Sequence, residues 1–262
     1  MTQPVDPRLA EEQRRAHLVL TGTDEGLRRG RRLLKMLPSS PRCKLCASPF
    51  SAPLGPFMRL LGKGPWPKNP KYCTACFREL VQHRAGAEID CSLLFADVRG
   101  STALAETMRP MEFTTLMNHF FETASRVLVG HDAIVDKFVG DEVIGIFVPG
   151  LTGPDHARHA IDAGRQLLAT TSTDTSLEIG IGVNSGVAYV GAVGEGEHVE
   201  LTAMGDPVNV AARLASAAGP GELLASGDAA RAAALDTAGL ERRNLELKGK
   251  REATEVYVLH AS

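Results

Sequence analysis

The chain has 262 residues, of which 44% are apolar and 23% charged, and its net charge is −2. That length and apolar content exclude a globally disordered chain and leave room for one domain of ordinary size plus a smaller module. The near-neutral total hides a split. Residues 1–84 carry 16 Lys/Arg against 6 Asp/Glu, whereas residues 85–262 carry 13 against 25. Such asymmetry points to modules with different partners. No apolar run approaches the ~18 residues of a membrane span, so no transmembrane segment is expected. The first residues lack a signal peptide's apolar stretch, and a cytoplasmic location is expected.

Residues 1–40 form a polar, Arg-rich segment. Asp24 is placed to cap a short helix through Leu27, Leu33, Leu34 and Leu37 that stops at Pro38. Arg28, Arg29, Arg31 and Arg32 give it a basic face. That face reads either as a solvated or domain-docked linker helix, or as a contact for a regulatory partner, anionic lipid or nucleic acid. The sequence does not decide between these.

Residues 41–84 hold Cys43-Lys-Leu-Cys46 and Cys73-Thr-Ala-Cys76. The stretch between the pairs is dense in Pro and Gly, so neither a regular helix nor a central strand is expected there. Each CxxC places two sulfurs on one tight turn. Two such turns close a tetrahedron around one structural Zn²⁺ per chain, with an iron–sulfur centre as the variant. Phe50, Phe57, Trp66 and Tyr72 are expected to cover this knuckle.

From residue 88 to 260 strand and helix patterns mix. Strands are predicted at 91–98, 134–139 and 142–148, the last two joined by Gly140-Asp141. A helical period covers 101–129, with Pro110 restarting it, and a further helix covers 154–169. Strands at 177–183 and 187–193 are read as a hairpin through Asn184-Ser185-Gly186. A short strand at 201–204 leads into a helix at 208–217. A strand at 221–225, a helix at 227–235 and strands at 244–248 and 255–260 complete the pattern. The class is α+β, a mostly antiparallel sheet with packed helices.

Two carboxylates stand out. Asp97 ends an apolar strand, and Asp141 sits at a hairpin tip. If those strands are neighbours, both acids converge, and a divalent cation relieves their repulsion. Mg²⁺ typically takes one or two carboxylates plus substrate phosphates. Just after Asp97, the run Val98-Arg99-Gly100-Ser101-Thr102 opens a helix, a junction whose backbone N–H groups suit phosphate oxygens.

Phe95-Ala96-Asp97-Val98-Arg99-Gly100-Ser101-Thr102 resembles the first metal motif of class III adenylate and guanylate cyclases. Lys137-Phe138-Val139-Gly140-Asp141-Glu142-Val143 resembles their second motif, and Thr202 to Leu214 their third. The likeness implies a ferredoxin-like cyclase sandwich over residues 88–260. It also implies two Mg²⁺ or Mn²⁺ ions per active site, held by Asp97, Val98 and Asp141. Lys137 and Thr202 match the purine-selecting positions, Thr202 as in the class IIIb subgroup. Asn209 matches the ribose-orienting residue, and Arg213 the one that stabilises the pentavalent phosphorus. Lys248 resembles the lysine that meets the terminal phosphates, although Lys250 is equally basic and two residues away.

Chemistry supports those types. Arg213 is a forked, permanently charged donor, and Asn209 and Arg213 at i and i+4 share a helix face. Adenine offers an N1 acceptor and an N6 amine, for which Lys137 and Thr202 are suited; guanine would call for a carboxylate. The resemblance therefore implies an adenylate cyclase converting ATP to 3′,5′-cyclic AMP for intracellular signalling, with active sites shared across a homodimer. The competing readings are a guanylate cyclase, a catalytically weak nucleotide-binding regulatory domain, and a zinc-ribbon nucleic-acid binder. Two departures from the family pattern, Ser101 for an aromatic and Asp132-Ala133 for Gly-Gly, remove no expected ligand.

Overall fold

The computed structural model of the chain describes residues 7–37, 40–67, 69–82, 86–175, 177–195, 198–250 and 252–261. In chain order the helices are α1 (Pro7–Thr21), α2 (Glu25–Lys35), α3 (Gly55–Leu60), α4 (Thr74–Gln82), α5 (Ser101–Thr107), α6 (Pro110–Gly130), α7 (Pro149–Thr152), α8 (His156–Asp174), α9 (Asp206–Ala217) and α10 (Gly227–Ala232). The strands are β1 (Pro65–Trp66), β2 (Asn69–Cys73), β3 (Ala87–Val98), β4 (Ile134–Val139), β5 (Glu142–Phe147), β6 (Ile179–Glu195), β7 (His198–Met204), β8 (Leu223–Ser226), β9 (Glu241–Leu245) and β10 (Thr254–Leu259). Two units result. One is Met1–Ile89 with Val148–Gly153 and Tyr189–Ala203; the other is Asp90–Phe147 with Pro154–Ala188 and Met204–Ser262. Among the described residues no helix is long and apolar enough to cross a membrane.

In the first unit, α2 begins where Asp24 accepts a hydrogen bond from the Leu27 backbone N–H, the N-cap expected for this residue type. The expected stop at Pro38 lies outside the described residues, and the helix ends at Lys35. Helix α1 was not foreseen: its sequence is too polar to show a clear apolar period, yet it buries Leu20 and packs on α7. The stretch between the cysteine pairs also departs from expectation, because it holds the six-residue α3. Pro56 stands in the first turn of α3, where a missing N–H leaves no helical bond unmade. Phe50 and Tyr72 pack with the cysteines as expected. Phe57 does not, being 57% exposed, and Trp66 stacks on Phe77 at 4.6 Å.

The larger sheet runs β4-β5-β3-β6-β8-β10-β9, and β7 pairs with β6 off this path. β3–β5, β4–β5, β8–β10 and β9–β10 are antiparallel, and β6–β8 is parallel. Helices α6 and α8 cover one face through Phe120, Leu128, Ile161 and Leu167, which meet Leu94, Phe147, Ile181 and Leu223. Helix α9 sets Val210 and Leu214 against Leu224, Val256 and Val258. Leu224 alternates with Leu223 and Ala225 along β8, so α9 covers the opposite face. Residues 91–96 of β3 are buried without alternation, so both faces of that strand are covered.

The expected hairpin at Asn184-Ser185-Gly186 is absent, and residues 179–195 are one strand. Its polar residues serve the interior instead of a turn. Asn184 donates to the Pro207 carbonyl at 3.0 Å and accepts from Ser226 Oγ at 2.6 Å. Ser185 Oγ lies 2.6 Å from Ser92 Oγ. Satisfied in this way, buried polar groups carry little penalty.

Gly182 sets how closely α9 approaches β6. A Cβ there would stand 2.2 Å from the Ala211 carbonyl oxygen and 2.8 Å from Leu214 Cβ. Gly182→Ala is expected to destabilise the fold by about 1–3 kcal/mol or more through overpacking. Gly130→Ala, where a Cβ meets nothing within 4 Å, should stay within about 0.5 kcal/mol. Urea denaturation of both variants checks this, and equal stability would show that α9 does not need the close approach.

Candidate functional site

Pairing of β3 with β5 aligns Asp97 opposite Glu142. Strands β4 and β5 are joined by the two-residue loop Gly140-Asp141, with Val139 opposite Glu142 and Gly140 at φ 64°. The loop holds Asp141 at the tip, so Asp97, Asp141 and Glu142 gather at one end of the sheet. Burial pushes the Asp97 carboxyl above its ordinary range; Arg99 pulls it back, and Asp141, within hydrogen-bonding reach, pushes it up again. Burial, with repulsion from Asp97 and Asp141, raises Glu142 to about 7.

One guanidinium offsets this cluster. Arg99 pairs with the Asp97 carboxylate and donates to the carbonyls of Ser216 and Ala218 at 3.3 and 3.2 Å. It thereby ties the acids to the C-terminal end of α9. Asp97 and Asp141, within hydrogen-bonding reach of each other, are hard-oxygen donors of the type that Mg²⁺ or Mn²⁺ takes. Glu142 and the side-chain role of Arg99 were missed in the sequence. The Asp-Glu doublet after Gly140 and the Asp-Val-Arg spacing were the available signals.

The other expected residues lie elsewhere. Val98 is buried at the end of β3, and Gly100 (φ 70°) precedes α5, whose first turn holds Ser101 and Thr102. Lys137 lies on β4, where the pairing with β5 shifts register. Asn209 and Arg213 ride on α9. Asn209 is seven residues from Ser216, about 10 Å along the axis at 1.5 Å per residue. The loop after β9 lies over Arg213, since a Cβ at Gly249 would be 3.5 Å from its guanidinium. Lys250 pairs with Asp206 at the start of α9, whereas Lys248 is exposed. Thr202 is buried on β7, in the first unit. Asp132 adopts φ 65° before β4, a left-handed conformation that Asp tolerates better than most residues, so the Gly-Gly departure is absorbed locally.

The four cysteines come together in the first unit, with all four sulfurs within 4.8 Å of one another. They are unbridged, and Cys46 Sγ lies 3.7 Å from Cys73 Sγ. Tetrahedral Zn–S bonds of about 2.3 Å would put sulfurs about 3.8 Å apart, so the set fits a zinc-ribbon-like module. Cys43 and Cys46 sit on a turn closed by Ala47 N–H to Cys43 O at 2.9 Å. Cys73 ends β2, and Cys76 lies in the first turn of α4. Hydrogen bonds from Cys46, Cys73 and Cys76 push the Cys43 thiol below its ordinary range, and the same contacts push Cys73 and Cys76 above theirs, so without a metal the four share their negative charge unevenly.

A second grouping resembles a nucleophile triad in residue type. Ser92 Oγ lies 2.8 Å from His156 Nδ1, and His156 Nε2 lies 4.0 Å from Asp90. Ser92 is fully buried, so no substrate reaches it. Burial lowers the His156 pKa, and the grouping is a hydrogen-bonded core contact.

Residues 84–261 match the Adenylate and Guanylate cyclase catalytic domain family. Over 146 residues the chain is 29% identical to an adenylate cyclase of Anabaena cylindrica, covering 52% of this chain and 29% of that protein. It is 36% identical over 161 residues to an uncharacterised protein of Mycobacterium tuberculosis, covering 60% of this chain and 29% of that protein. The chain thus spans less than a third of the length of these relatives. Among solved structures, the adenylyl cyclase CyaB from P. aeruginosa superposes with a TM-score of 0.62 at 26% identity, over 68% of this chain and 96% of that one. The guanylyl cyclase Cya2 gives 0.62 at 25%, over 68% and 95%. The chain belongs to the family of adenylate and guanylate cyclase catalytic domains, preceded by a small cysteine-cluster module.

Two outcomes follow from the geometry. Replacing Cys43 by Ser should lower bound zinc from about one equivalent per chain and unfold the first unit, because structural zinc contributes folding free energy outright. Metal analysis with circular dichroism reads this, and an undiminished zinc content would sink the four-thiolate site. Without added Mg²⁺ or Mn²⁺, folded Glu142 keeps its proton up to about 7, whereas the unfolded chain loses it near the ordinary 4.5. The folded state binds more protons in that window, so stability should fall as pH rises through it. Glu142→Gln should flatten that slope in urea melts taken across the range.

Proposed function

We propose that this chain is an adenylate cyclase that converts ATP to 3′,5′-cyclic AMP and pyrophosphate, with active sites completed by two copies of the chain. The observation that carries this reading is the convergence of Asp97 and Asp141 on adjoining strand ends, beside a half-buried Glu142. Asp97 and Asp141, with the Val98 backbone, would hold the divalent ions. Bound there, such ions lower the pKa of the ribose 3′-hydroxyl and neutralise charge on the phosphates.

The chain's own residues supply the rest. Asn209 orients the ribose, so that the 3′-oxygen lies in line with the α-phosphorus. A new bond forms from that oxygen to the phosphorus as the bond to the bridging oxygen breaks, and pyrophosphate leaves. Arg213 donates to the equatorial oxygens, where charge builds up in the transition state. Lys248, exposed in the loop over the face of α9 that carries Arg213, meets the terminal phosphates. Lys137 donates to adenine N1, and Thr202 accepts from the N6 amine. The four cysteines take one structural Zn²⁺.

The deciding assay offers ATP and GTP in parallel with Mn²⁺ or Mg²⁺. Cyclic AMP is the expected main product, and Asp97→Ala should cut its rate by about a thousandfold, several kcal/mol at 1.36 kcal/mol per decade. Mixing Asp97→Ala with Arg213→Ala should restore about a quarter of wild-type activity, because half of a random mixture is heterodimer with one intact site of two. Preferred turnover of GTP would overturn the base assignment, and no rescue under subunit exchange would overturn the shared site.

A further inference from the structure

We propose that the outer face of α3, in the first unit, is a membrane-docking surface that lays three apolar side chains into a bilayer carrying anionic lipid.

Helix α3 is apolar on both of its sides. Gly55 and Met58, three residues apart, are buried. A Cβ at Gly55 would stand 2.2 Å from the Phe50 carbonyl oxygen, so this side is pressed against the backbone at Phe50. The other side carries Phe57, Leu60 and Leu61, at the i, i+3, i+4 spacing of one helix face. The bond from Leu61 N–H to the Phe57 carbonyl, 3.2 Å, keeps Leu61 in helical register. These three side chains are 57%, 84% and 55% exposed. The outward face of a helix docked on a core is ordinarily polar. Here that face presents large apolar groups, one beside the next.

The charge around the face selects its partner. Arg59 is exposed between Phe57 and Leu60, and Lys63 follows in the turn closed by Lys63 N–H to the Met58 carbonyl at 2.8 Å. Residues 26–78 hold 12 Lys/Arg and no Asp or Glu. The stretch that carries the apolar face is thus cationic throughout, whatever local bonds its side chains make. An anionic bilayer surface answers both features. Its headgroups attract cations by about 1 kcal/mol for each Lys or Arg near the surface, and the acyl boundary takes up apolar side chains from a helix lying on it. A nucleic acid answers the charge but leaves the apolar side chains in water. A second copy fits less well. Three side chains offer a few hundred Å², against the ~800 Å² per partner of a stable interface. The same face of a second copy is also equally cationic, and a two-fold contact would bring like charges together.

The test uses the full chain with its zinc and follows sedimentation with vesicles. Vesicles of phosphatidylcholine and phosphatidylglycerol in equal parts are expected to bind it at least about tenfold more tightly than phosphatidylcholine alone. Added salt should weaken that binding. Leu60→Ser/Leu61→Ser is expected to weaken it at least about tenfold, because two apolar side chains no longer leave water. Zinc content and circular dichroism serve as folding controls, and both substitutions lie on the exposed side. Should the double variant lose zinc, Leu60→Ser alone is expected to weaken binding about threefold or more while keeping the metal. No sedimentation, equal binding to the neutral vesicles, or wild-type binding by a folded variant would overturn the proposal. Retention on DNA or RNA without vesicle binding assigns a nucleic acid and overturns it as well. So does self-association in the absence of lipid that the double variant abolishes, which assigns the face to a second copy. The cyclase reading is unaffected by any of these results, because none of the substituted residues belongs to the catalytic set.

Discussion

The pairing of β3 with β5 holds negative charges where, alone, they would push apart. Asp97 and Glu142 face each other across the ladder, and Asp141 follows from the two-residue turn. The backbone hydrogen bonds and the apolar core beneath them, Leu94 and Phe147 among its members, offset that repulsion. Arg99 offsets a further part. Its second set of contacts, to the carbonyls of Ser216 and Ala218, makes the acid cluster and the end of α9 one mechanical element. A divalent cation taken up at that edge would relieve the repulsion that remains.

The first unit solves a different problem. Its cysteine-bearing stretch has too little apolar content for an ordinary core, and its regular elements are short. The buried cluster of Leu45, Phe50 and Tyr72 is built directly on Cys43, Cys46 and Cys73. Small modules of this kind need a staple, and four thiols at tetrahedral spacing are suited to supply one. The same turn that gathers the sulfurs also positions Lys44, while Arg42 closes the end of α2.

Where the chain departs from its family's usual residues, the fold compensates nearby. Asp132 takes the left-handed turn that a glycine would otherwise fill. The polar trio at 184–186, turn-like by composition, is drawn into hydrogen bonds with Ser92, Ser226 and the Pro207 carbonyl. Each contact replaces one to water. A long strand thus passes through a segment whose local preference is to turn.

Local chemistry was legible in the sequence. The four cysteines, the acid at the end of an apolar strand, the Gly140-Asp141 loop, the Asp24 cap and Pro110 at the head of α6 each act through neighbours a few residues away, and each lies where it was expected. What depended on distant partners was not legible. Helix α1 has no clear apolar period and is stabilised by packing on α7; β6 runs straight because residues 23 to 93 positions away in sequence satisfy its polar groups. The charged state of Glu142 and the tether made by Arg99 exist only once strands separated by about 45 residues lie side by side. The sequence by itself determined the family, the paired cysteine turns and the α+β class, because these are written in short-range spacing. Tertiary structure alone decided which acids meet and which lysine of the late loop is tied to Asp206, because burial and long-range electrostatics depend on what the fold brings near.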